Sequence, residues 1–287
     1  MTDPQTEKFV FQKRRSLSEL FSDSFLYFRQ NSRSFITAFA VLILPILFLD
    51  SGLATINELN NPAPADQDFL SSLRPSSPLG LLSNIFGLIT SSFMVIIVTG
   101  HIQMRRSGEH EITLSDYFGL ISEYFGRIVG ISIVVNLATW VGLIAFIVGA
   151  IYVGVKLALA SITGILEDNR TGEAIEWSWN YTKDQWWNTL GVLFALWIPL
   201  LAFSFMILIP QYIILEILFG AGVISVESYN IADVFILQTP YFMTTFLQFF
   251  LVLGLSLFYF DLKEQKEGTS IIEKIDDLNS GDAPSFQ

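Results

Sequence analysis

Apolar positions in this chain fall into long blocks, and the longest block organises the rest. Residues 128–166 form a run of 39 positions with one charge, Lys156. A helix rises ~1.5 Å per residue and a bilayer core is ~30 Å thick, so roughly 20 apolar residues cross it once. The run is therefore long enough for two crossings with almost nothing between them. Gly149 is the expected turn, with helices over residues 128–147 and 150–166. Four more blocks, residues 35–54, 79–100, 188–209 and 239–260, are each long enough for one crossing. The pattern predicts an all-α, polytopic membrane protein with six transmembrane helices in three hairpins. Pro45 and Pro199 should kink their spans, which membrane helices tolerate. The fifth apolar run continues past Pro210 to Phe219, which predicts tilt or an interfacial piece. Residues 52–78, with Pro62, Pro64, Pro75 and Pro78, and residues 220–238 read as loops.

A second pattern lies between the blocks. Ser16-Leu17-Ser18-Glu19 has the form of a helix capping box. Behind it Leu17, Leu20, Phe21, Phe25 and Phe28 recur at helical spacing. The expectation is an amphipathic helix in the membrane interface, with Arg29 and Arg33 at headgroups, or one packed on the protein's own end. Thr113-x-x-Asp116 repeats the cap ahead of Leu114, Tyr117, Phe118, Ile121, Tyr124 and Phe125. Thr171 is the expected cap of a third such helix, carrying Ala174, Trp177, Ser178 and Tyr181 on one face, with Trp179, Trp186 and Trp187 nearby. Ser270-x-x-Glu273 suggests one more in the tail.

The joints "RRSGEHEITLSDYF", "EDNRTGEAIEWSWNY" and "KEQKEGTSIIEKI" share an order: charges, glycine, a cap, an amphipathic run. Three units are expected, each an amphipathic interfacial helix followed by two spans, over residues 16–103, 113–166 and 171–260. Internal repeats of this kind occur in transporter folds. The domain division is a polar lead at 1–15, a membrane domain at 16–263 and a tail at 264–287.

Charge orients this layout. With the N-terminus inside, all but two of the 16 Lys and Arg fall on the inner side; Arg74 lies outside and Lys156 within the membrane. That bias predicts both termini in the cytoplasm. The chain is 52% hydrophobic and 15% charged, against about 25% charged for soluble domains. A net charge of -11 argues against nucleic acid as a partner. The absence of cysteine removes disulfides and thiolate metal sites. The first apolar run starts only at Phe35, with no small-residue cleavage site, so no cleavable signal peptide is expected.

Three stretches resemble the membrane domain of the glycerophosphoryl diester phosphodiesterase family and related six-helix bacterial membrane proteins of uncharacterised function. "KRRSLSELFSDSFLYFRQN" looks like that family's opening helix. "YVGVKLALASITGILEDNRTGEAIEWSWNYTKDQWWNTLGVL" looks like its central block, on which Lys156, Glu167, Ala174, Ser178 and Trp179 fall. "FYFDLKEQKEG" looks like its final exit. The resemblance implies a six-helix membrane domain in a bacterial inner membrane. It does not imply the phosphodiesterase reaction, which belongs to a separate barrel rich in metal ligands that this chain has no room for.

The candidate functional positions are Lys156, Glu167, Glu216, Ser178 and Trp179. An ionisable group within a span is costly and is usually buried, paired or functional. Lys156 should snorkel to the outer interface or pair, with Glu216 a candidate partner. Glu167 and Asp168 end a helix where carboxylates are unfavourable, so Arg127, Arg170 or Lys183 is expected beside them. Asn136, Thr139 and the cluster Thr90-Ser91-Ser92 suggest interhelical hydrogen bonds, and Gly126 with Gly130 a close helix approach. His101 and His110 lack the further ligands a metal site needs, and Asp66-x-Asp68 reads as incidental. No nucleophile elbow or phosphate loop is present, and no cofactor is expected. The leading functional expectation is a non-enzymatic integral membrane protein. It would be a scaffold, a partner-binding or a lipid-interacting module, with the bilayer and other membrane proteins as partners. The alternative is a small transporter or lipid-handling channel built on the three hairpins. An intramembrane enzyme would need converging acids, histidines or serines that the sequence does not show.

Overall fold

The computed structural model describes residues 9–60, 77–108, 111–145 and 147–268. Among the described residues there is helix and no strand. Six helical stretches are long and apolar enough to cross a bilayer: Ser32–Asn57, Pro78–Arg106, Leu114–Ile144, Ile147–Leu166, Trp186–Gly220 and Ile231–Glu267. The chain is an all-α polytopic membrane protein. Lys8, His110, the Asp66-x-Asp68 pair, Arg74 and the Ser270-x-x-Glu273 tail lie outside the described residues.

Helix α1, Leu17–Gln30, begins at the expected capping box, with the Ser16 hydroxyl accepting from Glu19 N and the Glu19 carboxylate accepting from Ser16 N. It ends at Asn31, and α2 (Ser32–Ala38) opens the first span. Between α2 and α3 (Leu44–Asn60) the helix widens into a π turn, Phe39–Ile43. That turn accommodates Pro45. A proline ring clashes with the carbonyl four residues back, here Val41, which lies inside the widened turn. The expected kink is therefore a π bulge.

α4 spans Pro78–Arg106, with Ser77 capping it. α5 runs unbroken from Leu114 to Ala145. The second amphipathic helix is thus not a separate element, because it continues directly into the third span. The next helix, α6, is Ile147–Leu157, and it packs back against α5. Gly149 is not the turn. It sits inside α6 and faces Gly142 of α5: a Cβ on Gly149 would lie 2.6 Å from the Gly142 carbonyl oxygen, and one on Gly142 2.8 Å from that of Gly149. The two glycines let the hairpin close backbone against backbone. Gly126, by contrast, has open space where a Cβ would stand, so the Gly126–Gly130 pair makes no close approach of this kind.

The fourth span breaks near its middle. α6 ends at Leu157, and a short α7, Ala160–Leu166, follows. α8, Thr171–Tyr181, then runs back along α7. Its cap is Arg170, one residue earlier than expected, with the Glu173 carboxylate accepting from Arg170 N at 2.9 Å. α9 (Trp186–Gly220) passes Pro199 and Pro210 as one helix, so no separate piece follows Pro210. α10 (Val226–Glu267) includes Pro240 and extends through most of the stretch expected as a loop.

Burial is concentrated at one end. The buried part of α4 lies toward its C-terminus, from Thr90 to Ile102, and that of α10 from Thr245 onward. Both ends of the described chain meet there: Arg15 N donates to Asp261 Oδ1 at 2.8 Å, and the Phe11 and Phe260 rings lie 5.6 Å apart. The Arg15 side chain is wholly covered and pairs with Asp23 at 2.9 Å. Burial lowers the Arg15 guanidinium from its ordinary value, and Asp23 opposes that shift. Burial also pushes the Tyr27 phenol up. Away from this end the hairpins are covered chiefly by their own partner strands of helix. Ile144, at the α5–α6 tip, is 85% exposed, and α9 carries Phe194, Trp197, Phe205, Met206 and Ile213 on its outside. Lipid tails solvate such surface as well as another apolar side chain would.

Candidate functional site

The site is built where α6 gives way to α7. Two backbone groups are freed at the break, and both are buried. The Ser178 hydroxyl, on α8, donates to the Lys156 carbonyl at 2.8 Å and accepts from Leu159 N at 3.2 Å. The Thr182 hydroxyl also reaches the Lys156 carbonyl, at 3.2 Å. One turn further, Thr163 Oγ1 donates to the Ala174 carbonyl at 3.2 Å. Away from water an unpaired amide or carbonyl is expensive, so a helix can stop in an apolar setting only where neighbours replace its bonds. α8 supplies those replacements.

Lys156 itself is 1% exposed. Its ammonium donates to the Trp179 carbonyl at 3.4 Å, with the Trp179 ring centroid 5.4 Å away and that of Tyr152 5.9 Å. Cation–π contacts of this kind strengthen as water is removed. Trp186 stacks on Tyr152 at 5.9 Å, and its indole N–H donates to the Tyr152 carbonyl at 3.4 Å. Lys183, Asp184 and Lys266 are the charged side chains whose fields act on Lys156. Lys156 therefore does not snorkel toward the hairpin tip. It turns to α8, near the end of α10 where Lys266 donates to the Asn180 carbonyl at 3.0 Å. Nor does it meet Glu216, whose carboxylate accepts from the Tyr229 hydroxyl at 2.6 Å. Lys156 lies in the last turn of α6, at the end away from the hairpin tip, and Glu216 on α9 is engaged by Tyr229 instead.

Glu167 has partners that sequence spacing did not suggest. Its carboxylate takes the Lys263 ammonium at 2.5 Å and a hydrogen bond from the Tyr259 hydroxyl, both from α10. Asp168 pairs with Arg127 at 2.6 Å, as expected, and Arg127 also donates to the Gly164 carbonyl at 2.9 Å. The acids that end α7 are thus compensated by two different helices. Tyr181 donates to Glu267 at 2.5 Å, and burial, then that carboxylate, pushes its phenol up. The structure brings together Lys156, Ser178 and Trp179, places Glu167 on the other side of α8, and leaves Glu216 apart.

One polar group was missed. Asp50 on α3 is 5% exposed, and its two oxygens accept from the Ser83 hydroxyl of α4 and the Tyr241 hydroxyl of α10, each at 2.5 Å. It clamps three helices. Its position near the end of the first apolar block disguised it as a boundary residue. His101 is buried, and its Nδ1 lies 2.7 Å from the Tyr117 hydroxyl, which lies 3.0 Å from Ser34 Oγ. Between helices, Thr99 of α4 meets Ser256 of α10 at 3.4 Å, but Asn136, Thr139, Ser91 and Ser92, expected to do the same, bond locally. Asn136 donates to Ser132 O and Thr139 to Val135 O, both at 2.8 Å. Ser91 and Ser92 likewise donate within α4. Among the described residues no three His, Asp or Glu side chains converge as a metal site would require.

No family model, no curated protein and no solved structure matches this chain.

Proposed function

We propose that this protein is a non-enzymatic integral membrane module that acts by holding lipids or partner proteins against its helices. The carrying observation is how its buried polar groups are used. Ser178, Thr182, Glu167, Asp168 and Asp50 all bind neighbouring helices of the same chain. What they leave for other molecules is apolar helix surface and the aromatic, cationic margin around Lys156. The charge bias supports an orientation with both termini in the cytoplasm, and the likeness to phosphodiesterase membrane domains supports a bacterial inner membrane. Purification in mild detergent, with mass spectrometry of what remains bound, tests the role. Recovery of defined lipids or a defined membrane protein in stoichiometric amount is the expected result, and a bare chain would overturn it. Reporter fusions at Gln287 and beside Gln67 should report opposite sides.

A second reading is favoured by one observation. The interrupted helix at Lys156 is the kind of element from which transporters build substrate sites. A small transporter or lipid-handling channel would use the three hairpins around that break. Uptake or flipping by protein reconstituted in vesicles, lost on Lys156→Met, would select this reading over the first.

A further inference from the structure

Lys156 is a buried ammonium for which no ion pair is seen among the described residues. Ion pairs join Lys13 and Arg15 to Asp23, Arg127 to Asp168, and Lys263 to Glu167. None involves Lys156. Among the described residues its acceptor is the Trp179 carbonyl, at the long end of hydrogen bonding, which leaves two of its three N–H donors without a partner there. Lys183 and Lys266, in its neighbourhood, are also positive, and Asp184 is a neighbouring anion. An isolated cation is costly in a poorly hydrated setting, and the exposed Asp184 forms no ion pair with it. The cluster can take a further anion.

The surroundings indicate which anion. Tyr152 and Trp179 form a single layer over Lys156, and each keeps about two-fifths of its surface open, at 45% and 39%. Lys183 and Lys266 are exposed beside that layer. Next to it, Ile151, Trp187 and Phe194 present exposed apolar surface continuous with α6 and α9. A ligand that fits must place a negative group among ammoniums and a hydrocarbon body along the helices. We propose that Lys156, Lys183 and Lys266 bind the phosphate of an anionic phospholipid, reached by rotation of the Trp179 or Tyr152 ring, with acyl chains along α6 and α9. Basic pockets between membrane helices bind anionic headgroups in this way. A zwitterionic lipid carries the same phosphate but adds an ammonium, which the lysines repel. The inference rests on the lipid-holding reading and narrows it to one headgroup class and one place.

The test is native mass spectrometry of the full chain from detergent, with phosphatidylglycerol and phosphatidylcholine supplied in equal amounts. The wild type should retain one phosphatidylglycerol in clear preference. Lys156→Met should weaken that retention by about fivefold or more, the scale of one lysine against an anionic surface. Lys156→Arg should restore it. The surface pair Lys183→Ser with Lys266→Ser, outside the packed break, should weaken it comparably and decides the matter if Lys156→Met does not fold. Equal retention by the wild type and all variants overturns the site while leaving a lipid-holding function standing. No retained lipid of either kind in the wild type removes both. Complete displacement by excess inorganic phosphate assigns the site to a free anion and overturns the lipid.

Discussion

The hydroxyl of Ser178 bridges a broken helix: it gives its proton to the carbonyl of Lys156 at 2.8 Å and takes the amide of Leu159 at 3.2 Å. Both backbone groups lie where water does not reach, so the bridge is part of the fold. Ser178→Ala leaves both with weakened or lost partners. Leaving buried polar groups unpaired costs ~1–3 kcal/mol. Thermal unfolding in detergent should show the loss, and Thr182→Val should cost less, because Thr182 only supplements one bond. Equal stability of Ser178→Ala and wild type would show that the break needs no bridge.

The glycines of the α5–α6 hairpin make a sharper comparison. Gly149→Ala and Gly142→Ala drive a methyl against backbone atoms at 2.6 and 2.8 Å, and backbone cannot swing aside. Overpacking of this sort costs ~1–3 kcal/mol. Gly126→Ala enters open space and should be neutral or stabilising by up to about 1 kcal/mol through helix propensity. Measured melting temperatures should order the three accordingly. A Gly126 variant less stable than both others would contradict the packing described.

Asp50 and Tyr241 offer a third measurement. Tyr241→Phe removes one of two hydroxyl donors from a buried carboxylate, at ~1–3 kcal/mol. Loss should appear first as faster hydrogen exchange in α3 and α10 around these residues, with the Arg15–Asp261 end unaffected. Uniform acceleration through the molecule would deny the clamp its local character.

The cap of α1 should depend on pH. The Ser16 amide, and then its hydroxyl, holds the Glu19 carboxyl below its ordinary value. A group with a lowered folded-state pKa stabilises fully above its unfolded value, about 4.3, and that contribution disappears as pH falls through the lowered one. Exchange protection at the first turn of α1 should therefore decline on acidification below the usual glutamate range. Glu19→Gln should flatten that decline, and an unchanged profile in the variant would sink the assignment.

The sequence by itself determined that this chain is helical and carries several segments long and apolar enough to cross a membrane. Those properties follow from block length and charge, which each segment carries alone. It also marked Ser16 with Glu19, and Thr113 with Asp116, because a capping box is closed within four residues. Only the tertiary structure decided the rest. No proline or glycine stands at the break after Leu157; it exists because Ser178, 19 positions along the chain from Leu159, comes back to replace the lost bonds. 

Lys263 finds Glu167 across 96 positions, and Tyr241 finds Asp50 across 191. Spacing along a chain says which face of a helix a residue occupies. It does not say which distant helix that face meets, and that meeting turned Lys156 inward to α8 and gave Asp50 its partners.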